Sequence, residues 1–91
     1  MCKSLFELMT SNRARKSLRH IPKHYAERAV AAFEALKQNP VPVPEYDVKK
    51  LRGMRDTYRI RIGDIRIEYE VNWEAKRIDI LLAEFRKRAY K

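Results

Sequence analysis

The strongest pattern in the chain is a change of side-chain character at every step between residues 58 and 71. Apolar and cationic residues alternate in Tyr58-Arg59-Ile60-Arg61-Ile62, and alternation resumes after Gly63-Asp64 in Ile65-Arg66-Ile67-Glu68-Tyr69-Glu70-Val71. Period two marks strands with one buried and one wet face. Gly63-Asp64 suits a tight primed turn, because glycine takes positive φ without strain. Counting outward from a two-residue loop sets Ile62 opposite Ile65, Arg61 opposite Arg66 and Ile60 opposite Ile67. It then sets Arg59 opposite Glu68 and Tyr58 opposite Tyr69.

The flanking segments supply the rest of the frame. Lys3 to Thr10 read as a first strand, with Phe6 and Leu8 in one phase. Ser11 is an N-cap for a short helix to about His20, with Ala14, Leu18 and Ile21 at helical spacing. Ile21-Pro22 breaks that helix, since a residue before proline avoids helical ψ. A second helix, from about Pro22 to Gln38, carries Ala26, Ala29, Val30, Phe33 and Leu36 on one stripe. Pro40, Pro42 and Pro44 favour an extended connector rather than helix or interior strand. Val48 to Leu51 enter a strand, residues 52–56 turn into the hairpin, and Asn72 to Ala75 turn out of it. Arg77 to Ala83 make the last strand, with Ile78, Ile80 and Leu82 facing Val71, Tyr69 and Ile67. The prediction is an α+β fold of order β-α-α-β-β-β: an antiparallel sheet of about four strands with an N-terminal helical hairpin on one face. Residues 1–91 are expected to form a single domain.

Charge changes this picture from a scaffold to a surface. The chain has 21 Lys+Arg against 12 Asp+Glu, a net charge of +9, which favours a polyanionic partner. Residues 49–66 hold seven Lys/Arg against two Asp, so the cations are expected to cluster where the helices are not. Setting Arg61 against Arg66 costs stability in a sheet. Glu68 can serve Arg59, but the hairpin offers no equal partner for both other arginines. Either an external anion such as phosphate completes the site, or the long side chains splay into water. The hairpin alone favours the second reading.

Other chemistries are poorly supported. No apolar run nears the ~20 residues of a membrane span, and no signal-peptide pattern opens the chain. The single Cys2 excludes an internal disulfide and fits a reducing cytoplasm. His20 and His24 have zinc-ligand spacing, but Pro22 lies between them and no third ligand is evident. No metal or cofactor is expected. Glu68 and Glu70 read as surface partners of the arginines rather than an acid–base pair, and Trp73 as a lid on the core edge.

The run Lys50-Leu51-Arg52-Gly53-Met54-Arg55-Asp56-Thr57-Tyr58-Arg59-Ile60-Arg61, with Gly63-Asp64-Ile65-Arg66-Ile67-Glu68-Tyr69, closely resembles the core of RelE toxins. These belong to the RelE/ParE superfamily of type II toxin–antitoxin systems. The ending Arg86-Lys87-Arg88-Ala89-Tyr90-Lys91 and the segment Glu70-Val71-Asn72-Trp73 are similar to the archaeal branch.

The resemblance implies a metal-independent endoribonuclease that enters the vacant ribosomal A site and cuts the mRNA codon there. The neighbouring ribose 2′-hydroxyl attacks the scissile phosphate, leaving a 2′,3′-cyclic phosphate and a 5′-hydroxyl. Carried over by position, Arg59, Arg61 and Arg66 line a concave sheet face and stabilise phosphate charge. Arg86 lies near the leaving oxygen, and Tyr90 stacks on a base. Lys49, Lys50, Arg52, Arg55, Arg88 and Lys91 are the expected further RNA contacts. Arg59 and Arg61 stand where the best-known bacterial toxins have lysines. Guanidinium stays protonated, so the base for the 2′-hydroxyl is open: water, a ribosomal group, or none beyond electrostatics and positioning. The implied partners are the ribosome, mRNA and a RelB-like acidic antitoxin, all in the cytoplasm. A gyrase-directed toxin of ParE type, or an inactive nucleic-acid-binding homologue, is the alternative.

Overall fold

The computed structural model describes residues 5–43, 45–53 and 55–85. The elements run β1 (Glu7–Thr10), α1 (Asn12–Leu18), α2 (Lys23–Gln38), β2 (Asp47–Lys50), β3 (Thr57–Ile62), β4 (Ile65–Asn72) and β5 (Arg77–Phe85). The α+β class and the element order agree with the sequence reading. The sheet differs in one respect: it has five strands, ordered β1-β5-β4-β3-β2, and β1 lies parallel to β5. Parallel neighbours need a long crossover, and the helices and the intervening strands provide it. The first strand also starts later than Lys3. The Leu5 and Phe6 amides donate to the Lys37 carbonyl at the end of α2, so pairing with β5 begins only at Glu7.

The central hairpin has the register that its loop dictates, with all five expected pairs present. Gly63 has φ of +57° and Asp64 is not in the left-handed region, the pattern of a type II′ loop. Ser11 caps α1 by accepting from the Ala14 amide at 3.0 Å. Pro22 sits at the N-cap of α2, and the helix proper begins at Lys23.

The core lies between the helices and one sheet face. Ile60, Ile65, Ile67, Tyr69, Val71, Ile78 and Ile80 are buried from the sheet; Ala14, Ala29, Ala32, Phe33 and Leu36 are buried from the helices. Val30 is 55% exposed, contrary to the expected stripe. Ala32 takes its place, because positions 29, 32, 33 and 36 share one side of α2 and small side chains let the helix lie close to the sheet. Trp73 covers the core edge as expected, edge-on to Phe6 with ring centroids 5.8 Å apart. The start of the connector is tied down at Pro40: the buried Tyr69 hydroxyl donates to the Pro40 carbonyl at 2.6 Å.

A bulge in β5 alters which side chains reach each face. Ile80 pairs with Tyr69 and Leu82 with Glu68, so Leu81 is an extra residue. Its carbonyl accepts from the Ser11 hydroxyl at 3.1 Å, satisfying a group the ladder leaves free. Beyond the bulge the phase reverses. Ala83 and Phe85 pair with the core-facing Ile67 and Ile65, whereas Leu82 lies beside Glu68 on the other face. The expected inward position of Leu82 is therefore corrected.

Candidate nucleic-acid interface

The sheet face away from the helices is built as cross-strand rows. One row reads Asp47, Arg61, Arg66, Glu84 across β2 to β5; the next reads Lys49, Arg59, Glu68, Leu82. A third carries Thr57, Glu70 and Asp79. Alternation along β3 and β4 thus brings Arg59, Arg61 and Arg66 together, with Lys49 on the edge strand.

Their counter-ions are not those the hairpin predicted. Arg66 Nη2 donates to Glu84 Oε1 at 3.1 Å, a partner from outside the hairpin. Glu68 leans along its own strand, with Oε2 3.9 Å from Arg66 Nε, rather than across to Arg59. Arg66 is accordingly neutralised. Among the described residues, Arg59 and Arg61 form no ion pair, and Arg61 is exposed. The Nε atoms of Arg59 and Arg66 are buried without a hydrogen-bond partner. Buried polar groups are ordinarily satisfied, so these two donors stand out on the face.

The other expected contacts divide. Lys49 shares a row with Arg59, but Lys50 pairs with Tyr58 and so belongs to the helix-side phase. Strand alternation separates the two neighbours. Arg52 and Arg55 are exposed on the turn between β2 and β3, where they line a depression of about 470 Å³ with Lys50, Leu51 and Gly53. Arg86, Arg88, Tyr90 and Lys91 lie outside the described residues. His20 and His24 are both exposed at the helix junction. Lys49, Arg59, Arg61 and Arg66 do stand on the sheet face away from the helices, but the helices carry cations as well. Arg13, Arg15, Lys16, Arg19, Lys23 and Arg28 are exposed on α1, α2 and their junction, against Glu27 and Glu34. The window counted in the sequence left these residues out.

Sequence reasoning missed Asp47, Thr57 and Asp79 on this face as well as Glu84 and Leu82, and the last two reach it only because of the bulge. The only signal was the apolar pair Ala83 and Phe85, which stand out of phase with Ile78 and Ile80. No described helix is long and apolar enough to cross a membrane.

Comparison with known proteins gives consistent results. Residues 8–90 match the family described as ParE toxin of type II toxin-antitoxin system, parDE. The chain is 35% identical over 86 residues to the RelE1 protein of Methanocaldococcus jannaschii, covering 94% of this chain and 96% of that one. The archaeal RelE–RelB complex from Pyrococcus horikoshii OT3 contains a similar chain, with TM-score 0.82, 37% identity, and coverage of 93% and 99%. The RelBE2 toxin–antitoxin complex of Mycobacterium tuberculosis follows at TM-score 0.75 and 26% identity, covering 89% and 98%.

Proposed function

We infer, for a chain that belongs to the ParE toxin family of type II toxin–antitoxin systems within the RelE/ParE superfamily, a ribosome-dependent endoribonuclease that cuts mRNA in the A site. The observation that carries this reading is the row in which Arg61 stands directly against Arg66, with Arg59 in the adjoining row. A like-charge pair costs stability, and Arg59 and Arg61 form no ion pair with the carboxylates opposite them, Glu68 and Asp47. A phosphodiester laid over these rows supplies the missing charge.

Chemistry follows from the same arrangement. A 2′-oxygen attacking the adjacent phosphorus creates a dianionic, five-coordinate phosphorane. Guanidinium groups fixed on a rigid sheet stabilise that charge as it develops, without reorganising. Arg86 and Tyr90, from the resemblance, complete this reading beyond the last described residue of β5. Because Arg66 is held by Glu84, its orientation is set before RNA arrives.

The partner that restrains such a toxin is a RelB-like acidic segment covering the arginine face in the cytoplasm. Both solved relatives above are, by their own descriptions, complexes with an antitoxin, which supports a RelB-like partner. The test is primer extension on programmed ribosomes with the wild-type chain and with Arg61→Ala and Arg86→Ala. A-site cuts by wild type, reduced about 10²–10³-fold in the variants, support the reading. Intact mRNA with soluble wild-type protein overturns it. The ParE name of the matching family favours one second reading, a gyrase-directed toxin. In that case supercoiling rather than translation responds.

A further inference from the structure

The arginine face has cations to bind a phosphate but needs a group to receive the 2′-hydroxyl proton. Arginine cannot do this, since guanidinium stays protonated in proteins. Four described carboxylates stand in or beside the arginine rows: Asp47, Glu68, Glu84 and Glu70, the last diagonal to Arg59 alone. Glu84 stands at the far end of its row and borders Arg66 alone. Asp47 stands at the opposite end, against Arg61 and diagonal to Arg59. Glu68 differs from the other three. It lies directly opposite Arg59, two residues along β4 from Arg66, and diagonal to Arg61. Of the described carboxylates it alone neighbours all three arginines.

Its surroundings also suit a proton acceptor. Its side chain is 27% exposed, the least of the carboxylates in the ion pairs of this face. Leu82, turned onto this face by the bulge, flanks it on β5. Its closest cation, Arg66 Nε, is 3.9 Å away, too far for a hydrogen bond, so its lone pairs are not consumed by an internal donor. The stronger contact of Arg66 is to Glu84 at 3.1 Å.

We propose that Glu68 is the general base of this enzyme, a proposal that rests on the nuclease reading above. The Glu68 carboxylate takes the proton of the ribose 2′-hydroxyl as the 2′-oxygen bonds to phosphorus. The P–O5′ bond breaks, its electron pair leaves with the 5′-oxygen, and that oxygen takes a proton from water. Glu68 then returns its proton to solvent. The products are the 2′,3′-cyclic phosphate and a 5′-hydroxyl, with no net proton change and no oxidant or metal consumed.

The experiment uses the full chain on programmed ribosomes under single-turnover conditions. Glu68→Gln should cut about 10²–10⁴-fold more slowly. It should hold an mRNA carrying a 2′-deoxynucleotide at the attacking position at least as tightly, because a negative charge beside the phosphate is gone. Its residual rate should rise about tenfold per pH unit above neutrality as hydroxide replaces the base, while the wild-type rate stays flat. Glu34→Gln, on the exposed side of α2 away from the arginine face, should cut within about threefold of wild type.

Glu68→Gln cutting within about threefold of wild type, or with the wild-type pH dependence, overturns the proposal. Should Glu68→Gln fail to fold, the wild-type profile decides alone. A flat rate supports a protein base, and a rise of about tenfold per pH unit means hydroxide does the work. A wild-type chain that cuts nothing refutes the nuclease reading instead, which separates the two failures.

Discussion

The facing pair Arg61/Arg66 makes a prediction whose sign distinguishes a binding face from an ordinary sheet surface. Arg61→Gln keeps side-chain length and removes one charge. Directly opposed residues have Cα atoms about 4.5–5.5 Å apart, and like charges so placed destabilise a sheet by roughly 0.2–1 kcal/mol. Arg61 is exposed, and although Asp47 stands opposite it on β2 the two form no ion pair, so only a weak attraction offsets the loss of its charge. The variant should therefore melt higher than wild type by about 1–8 °C at low ionic strength, given ~4–8 °C per kcal/mol for a domain of this size. The gain should fade with salt, as the Debye length shrinks from ~30 Å at 0.01 M to ~3 Å at 1 M.

Arg66→Gln supplies the opposite sign. It removes the partner of Glu84 at 3.1 Å and of Glu68 at 3.9 Å, leaving two carboxylates on one face without their cation. It should melt at or below the wild-type temperature. The assay is thermal unfolding by circular dichroism at low and high salt, alongside single-turnover cleavage. Cleavage should fall in both variants while stability moves in opposite directions. An Arg61→Gln chain that melts lower than wild type at low salt, or whose shift ignores salt, refutes the argument from repulsion.

Further outcomes follow from the core and the bulge. Tyr69→Phe leaves the Pro40 carbonyl without its 2.6 Å donor and should cost about 1–3 kcal/mol in urea unfolding. Burial, and then Tyr58, raises the Tyr69 phenol well above its ordinary titration range. The unfolded chain therefore releases this proton first, and stability should fall as pH climbs past about 10. Tyr69→Phe should flatten that alkaline decline. Leu82→Gln should change stability by less than about 1 kcal/mol, because the bulge places it beside Glu68. Ile80→Gln, on the core side, should destabilise strongly; equal losses in the two variants would contradict the phase reversal.

What could be read directly from the residues was local. The two-residue loop at Gly63-Asp64 determines the pairing of Ile62 with Ile65, and alternation then determines every pair out to Tyr58 and Tyr69. The Ser11 cap and the break at Pro22 depend on a few neighbouring residues and were equally legible, as was the gathering of Arg59, Arg61 and Arg66. The tertiary structure decided what depends on distant chain. Ser11 and Leu81 meet across 70 residues, and β1 joins β5 in parallel. The bulge at Leu81 then sends Leu82 outward and sets Glu84 opposite Arg66. A period-two pattern specifies which residues share a face only while the ladder is regular; a single inserted residue reverses the phase. The charge balance of the arginine face turns on that reversal, so it was settled by packing between chain ends rather than by any one stretch.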